Sequence, residues 1–145
     1  MKIIIDADGC PVIDLTIKVA KKFNISVILM CDTAHQLERE GAETIIISQG
    51  ADAVDFALVN RVNKGDLVVT QDYGLAAMVL SKQANVINQN GLRYTDENID
   101  QLLFTRYVSK KVRNAGGRVK GPKKRQKDDN LNFELSLEAL CRELH

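Results

Sequence analysis

The chain opens on Ile3-Ile4-Ile5, an unbroken β-branched run that reads as a short strand with both faces buried. Polar residues follow at once in Asp6-Ala7-Asp8-Gly9-Cys10-Pro11, where Gly9 permits a tight turn and Pro11 suits the first turn of a helix. Beyond it, Val12, Leu15, Ile17, Val19, Ala20 and Phe23 recur at near-helical spacing, with Lys18, Lys21 and Lys22 toward the end. That is an amphipathic helix with cations in its last turn. Residues 25–31 read as a second buried strand, and the polar stretch 32–40 as a short helix or loop.

Gly41 breaks the chain before a third strand at 44–48, and a helix follows with Val54, Ala57, Leu58 and Val62 on one face. A fourth strand at 66–70 leads into a helix from Leu75 to about residue 83, and residues 85–88 make a fifth strand at the sheet edge. Five strands alternating with helices at short intervals predict an α/β domain with a mostly parallel sheet. Thr95 caps a further helix whose apolar stripe is Ile99, Leu102, Leu103 and Val108. Leu131, Phe133, Leu135, Leu137, Leu140 and Leu144 predict a last amphipathic helix that packs back on the body.

With 145 residues, 45% of them hydrophobic, the chain can bury one core. The expected organisation is an α/β domain over 1–105, a basic loop over 106–130, and a packed helix over 131–145. No apolar run reaches membrane-spanning length and the start lacks the pattern of a signal peptide, so the expected location is cytoplasmic. Cys10, Cys31 and Cys141 include no close pair, which indicates neither a disulfide framework nor a CxxC metal site. Cys10 reads as a small buried thiol. His35, read as a surface residue, and His145 are the two histidines, too few for a histidine-rich zinc site and ill placed for a Ser-His-Asp triad.

The net charge of +1 hides a segregation. Residues 1–105 hold 9 Lys and Arg against 14 Asp and Glu, whereas residues 106–127 hold 10 cations and no acid. An acidic body carrying one basic segment fits a polyanionic partner, with a merely solvated face as the plainer reading, and it also allows head-to-tail self-association. The candidate nucleic-acid contacts are Arg113, Arg118, Lys120, Lys123, Lys124, Arg125 and Lys127.

Parallel strands point their carboxyl ends one way, so Asp6, Asp8, Asp52 and Asp72 are all delivered to one rim, which in open α/β sheets holds the ligand. Any one of these acids has a structural explanation as a cap or turn residue; three strand ends repeating the placement favour a site. Clustered carboxylates bind hard divalent cations, and Mg²⁺ or Mn²⁺ prefer oxygen ligands. Such ions activate water and stabilise the leaving oxygen in phosphodiester hydrolysis.

Ile5-Asp6-Ala7-Asp8-Gly9-Cys10-Pro11, Gly50-Ala51-Asp52-Ala53-Val54-Asp55 and Gly65-Asp66-Leu67-Val68-Val69-Thr70-Gln71-Asp72-Tyr73-Gly74-Leu75-Ala76 closely resemble the YaiI/YqxD family of bacterial proteins. Gly91-Leu92-Arg93-Tyr94-Thr95-Asp96-Glu97-Asn98-Ile99 and Arg113-Asn114-Ala115-Gly116-Gly117 extend the resemblance over nearly the whole chain. This family is similar to the PIN-like nucleases, which implies a three-layer α/β/α fold around a five-stranded sheet and RNA cleavage with Mg²⁺ or Mn²⁺. Carried onto this chain, the resemblance implies Asp6, Asp52 and Asp72 as catalytic metal ligands, supported by Asp8 and Asp55. A further acid that such sites draw from an early helix has no placed counterpart here; Glu38 and Glu40 lie on the polar stretch.

Two other readings stand beside the nuclease. One is an RNA-binding or adaptor module that keeps the fold without turnover. The other is a haloacid-dehalogenase-type phosphatase, since Ile-Ile-Ile-Asp-Ala-Asp-Gly looks like that family's strand end, with Asp6 as nucleophile and Asp8 as general acid. Its late lysine and its Gly-Asp-x-x-x-Asp motif are not evident. The sequence does not separate RNA from DNA.

Overall fold

The computed structural model describes residues 1–34, 36–48, 52–117 and 124–145. His35, Arg118, Lys120 and Lys123 fall outside them. Ile3, Ile4 and Ile5 are fully buried, as a run apolar on both faces requires, and they form the centre of β1 (Lys2–Asp6). The remaining strands are β2 (Ser26–Asp32), β3 (Glu43–Ile47), β4 (Leu67–Val69), β5 (Asn85–Ile87) and β6 (Arg93–Tyr94). They make one sheet in the order β3-β2-β1-β4-β5-β6, parallel except for the last pair.

Residues 85–88 were expected at the sheet edge, in a sheet of five strands. Instead a sixth strand of two residues turns back antiparallel after Gly91 and covers that edge. Two residues are too short to leave a period-2 signature, so the pattern of alternation could not reveal it.

Helices lie on both faces of the sheet. α1 (Ile13–Lys22) and α5 (Lys127–Leu144) cover one face, where Ile3, Ile5, Leu29 and Val69 meet Val12, Val19, Phe133 and Leu137. α2 (Ala53–Arg61), α3 (Tyr73–Ser81) and α4 (Asp96–Asn114) cover the other, where Ile4, Met30 and Val68 meet Leu58, Val79 and Ile99. The result is the three-layer α/β/α arrangement. α5 packs back on the body by Phe133, Leu137, Leu140 and Cys141, while Leu131 and Leu135, which the expected stripe included, lie on its exposed side; Lys18 and Lys22 of α1 pair with its Glu134 and Glu138 at 3.0 and 2.8 Å.

The basic stretch expected as a loop from residue 106 begins as helix. Thr95 caps α4 in a capping box with Asn98, and the helix then runs without a break to Asn114. Glycine and proline, the residues that suggested a loop, come only after it, at Gly116, Gly117 and beyond. At the other end α5 starts at Lys127, in its own capping box between Gln126 and Asp129, so Lys127 is helical too.

At the amino edge of the sheet, Asp66 is buried. It accepts from the Lys2 backbone N–H at 3.1 Å, the Lys2 Nζ at 2.6 Å and the Asn63 N–H at 2.9 Å, tying the starts of β1 and β4 together. Asp6, at the end of β1, and Asp72, after β4, lie at the opposite edge. No helix among the described residues is long and apolar enough to cross a membrane.

Candidate functional site

The sheet changes direction between β1 and β4: the strands before β4 add on one side of β1, those after it on the other. Neighbouring crossovers diverge there and leave a crevice at the carboxyl ends of the two strands. Asp6 is the last residue of β1, and Thr70, Gln71 and Asp72 directly follow β4. Asp6, Asp8, Gly9, Gln71, Asp72, Tyr73 and Arg106 line the open cleft that results, about 490 Å³ in volume.

Thr70 organises the two strand ends. Its buried hydroxyl donates to Oδ2 of Asp6 at 2.8 Å and accepts from the Asp72 N–H at 3.0 Å. Asp72 in turn caps α3, its Oδ1 accepting from the N–H groups of Gly74 at 2.8 Å and Leu75 at 3.2 Å. Those contacts use one oxygen of each carboxylate. The turn after β1 is fixed by Gly9 at φ +69°, a left-handed conformation glycine takes at little cost, and its carbonyl accepts from Gln71 Nε2 at 3.1 Å.

Charge is crowded here. Burial pushes the Asp6 carboxyl up to about 6; the Thr70 hydrogen bond opposes the rise, while Asp55, Asp8 and Asp72 add to it. Asp55, in the first turn of α2, is also raised, by burial and then by Asp72 and Asp52. The opposing charge comes from Arg106 of α4, whose Nη1 stands 3.7 Å from Asp72 Oδ1.

The acids that follow β1, β3 and β4 thus meet, but with different weights. Asp6, Asp8 and Asp72 line the cleft and Asp55 acts on both Asp6 and Asp72. Asp52 is exposed at the start of α2, makes no side-chain cap bond, and touches this field through Asp55. Glu38 and Glu40 sit exposed on the loop after β2, away from the cleft lining.

Every donor in the cleft that could meet a metal is an oxygen, and like charges surround Asp6. That set fits a hard divalent cation of the Mg²⁺ or Mn²⁺ kind, which would relieve the crowding. Among the described residues no three His, Cys, Asp or Glu side chains stand close enough to hold one ion together.

The basic residues divide. Arg113 is exposed near the end of α4, and Lys127 opens α5. Lys124 lines a second cleft with Pro11, Gln71, Gln89 and Asn90, which meets the acidic one at Gln71. Arg125 serves the fold: it donates to Asn130 Oδ1 at 2.8 Å, Asn90 Oδ1 at 2.7 Å and the Gln89 carbonyl at 2.9 Å, fastening the start of α5 to the turn before β6. Its guanidinium is occupied by these acceptors.

Thr70, buried beneath the cleft, and Arg106, on its lining, escape a reading by sequence. Thr70 looks like an ordinary strand end, although its position two before a capping Asp is a signal of a kind. Arg106 is the first cation after Asp96, Glu97 and Asp100, but only the packing of α4 beside α3 brings it to Asp72.

A family model described as "Uncharacterized BCR, YaiI/YqxD family" matches residues 4–143. A UPF0178 protein of Exiguobacterium sibiricum is 58% identical over 143 residues, covering 99% of this chain and 98% of that one. UPF0178 proteins of Ruminiclostridium cellulolyticum and Alkaliphilus oremlandii are 50% and 48% identical over 137 residues, with 94% of this chain and 90% and 88% of theirs covered. No solved structure matches.

Proposed function

The chain belongs to the YaiI/YqxD family, and we propose that it is a metal-dependent, PIN-like nuclease that hydrolyses phosphodiester bonds in RNA, acting in the cytoplasm. One observation carries the reading: carboxylates from separate crossovers meet at the β1/β4 switch point, where burial first and the neighbouring acids second raise Asp6 to about 6, with an arginine at their edge.

A bound Mg²⁺ or Mn²⁺ ion would supply activated water and stabilise the leaving oxygen. Asp6 and Asp72, which line the cleft, are the residues that would hold it together with retained water, with Asp8 beside them, Asp55 acting on both through its charge and Asp52 on the outer side. Thr70 keeps Asp6 and Asp72 in fixed relation through its single hydroxyl. Arg106, already within reach of Asp72, is placed to receive a phosphate that enters the cleft. The other charged groups of the lining are all acids, so without that cation a phosphodiester would meet only negative charge.

The test is calorimetric titration of Mn²⁺ into the wild-type protein and into Asp6→Asn and Asp72→Asn, followed by RNA cleavage under the same conditions. The expected result is metal binding and cleavage in the wild type, with both lost in the variants. Cleavage that survives in both variants overturns the assignment of the site. RNA binding with neither metal uptake nor turnover would instead identify a binding module.

A further inference from the structure

α4 changes character halfway along. Its first turns pack on α3 through Ile99, Leu102 and Leu103. Continued at 3.6 residues per turn, that same face carries Arg106, Lys110 and Arg113, within about 60° of one another around the axis. The packed face of the helix thus becomes its cationic face.

The reason is position. β6 runs back from the carboxyl edge of the sheet, so α4 starts at the amino edge and climbs toward the cleft. It passes the N-terminus of α3 at Arg106, whose Nη1 is 3.7 Å from the capping carboxylate of Asp72. Beyond that point α3 offers nothing to pack against, and from Phe104 to Asn114 every residue except the half-buried Ser109 is exposed. Eight helical residues, 107–114, therefore extend past the rim with Lys110 and Arg113 facing the side on which the acids lie.

We propose that this overhanging half of α4 is the arm that holds the nucleic acid, with Arg106, Lys110 and Arg113 receiving successive phosphates on one side of the cleaved bond. The inference rests on the nuclease reading for its choice of polyanion. From Arg106 to Arg113 the helix rises about 10 Å, and a strand advances roughly 3.4 Å per phosphate along a helical axis, so the arm spans about three phosphates. No acid lies on α4 after Asp100 to compete for them. Beside the stripe, Tyr107 is 56% exposed in a shallow dent with Lys110, Lys111 and Asn114. The Lys111 ammonium stands 5.4 Å from its ring centroid, and the ring offers a surface on which a base can stack. Of the basic residues that the charge pattern singled out this keeps Arg113, and it adds Arg106 and Lys110 upstream of them.

The experiment measures binding of a labelled ten-nucleotide oligoribonucleotide by fluorescence anisotropy, in chelator and across a salt series. Lys110→Gln/Arg113→Gln is compared with Lys21→Gln/Lys64→Gln, which removes the same charge from exposed positions at the amino edge. The arm predicts at least a tenfold loss of affinity for the first pair, with the log–log salt slope reduced by about 1.4, or roughly 0.7 per lost phosphate contact on a single strand. It predicts less than a twofold loss for the second. Tyr107→Ala should weaken binding and leave the slope unchanged. Equal losses in the two pairs, or no loss in either, overturn the arm. Cleavage with Mn²⁺ is scored separately: a wild type that cleaves while the first pair binds normally refutes the arm and keeps the nuclease. Binding lost in that pair by a protein that never cleaves keeps the arm and refutes the nuclease.

Discussion

The hydroxyl of Thr70 donates to Asp6 Oδ2 at 2.8 Å, joining residues 64 apart in sequence at the carboxyl ends of adjacent strands. Because the same hydroxyl accepts from the Asp72 N–H, it fixes both acids with one buried group. Thr70→Val keeps the shape and removes both bonds, leaving a carboxylate oxygen and a backbone N–H unpaired. A loss of about 1–3 kcal/mol is expected, together with a further rise of the Asp6 pKa, because the hydrogen bond now lowers it. Denaturant unfolding and carboxyl titration by NMR check the two effects, and Thr70→Ser should restore both.

Asp6 carries a cost in the metal-free protein. Its carboxyl titrates near 6 in the fold, against 3.8 for an unperturbed Asp, so between those values the folded state binds the proton more tightly. Stability therefore falls as pH rises through that window and stays low above it. Asp6→Asn, which is neutral throughout, should be more stable than wild type by about 2–3 kcal/mol at pH 8 in chelator, and the difference should vanish near pH 4. Thermal unfolding at the two pH values decides it; a variant less stable at pH 8 would contradict the cost of keeping a buried carboxylate ionised beside other acids.

Asp66 has the opposite sign. Burial alone would raise its pKa, but the hydrogen bonds from Lys2 and Asn63 hold it below the usual value. Its contribution is full above the ordinary carboxylate range and is lost as pH falls through its lowered folded-state value. Asp66→Asn should cost about 2–3 kcal/mol at pH 7, and the gap to wild type should close in acid. Urea midpoints at pH 7 and in acid measure this.

Arg125 should matter to stability before it matters to nucleic acid. Arg125→Ala releases Asn90, Asn130 and the Gln89 carbonyl, and an expected loss of about 1–2 kcal/mol follows from those bonds. Arg125→Lys should not restore it, since one ammonium cannot reach acceptors spread across a planar fork. A melting temperature unchanged in both variants would show the staple to be idle.

The nature of each element follows from local pattern. Ile3-Ile4-Ile5 has no stable place except a central strand, the leucine and phenylalanine stripe from Phe133 to Leu140 has none except against the body, and parallel strands must deliver Asp6 and Asp72 to the same rim. Those conclusions need only periodicity and the direction of the chain. Which acids meet is a different matter. Asp52 and Asp55 are three residues apart on one helix, yet Asp55 reaches Asp6 and Asp72 while Asp52 stays outside, because the rotation of α2 on the sheet is set by Val54 and Leu58 entering the core. The same holds for Arg106 and Arg125. Both belong to one basic stretch in the sequence, but α4 carries the first over the cleft and the start of α5 binds the second into a turn. Sequence determines what a side chain can do chemically and which face of its element it occupies; only the packing of elements against one another decides what it faces, because that is fixed by contacts among residues distant in the chain.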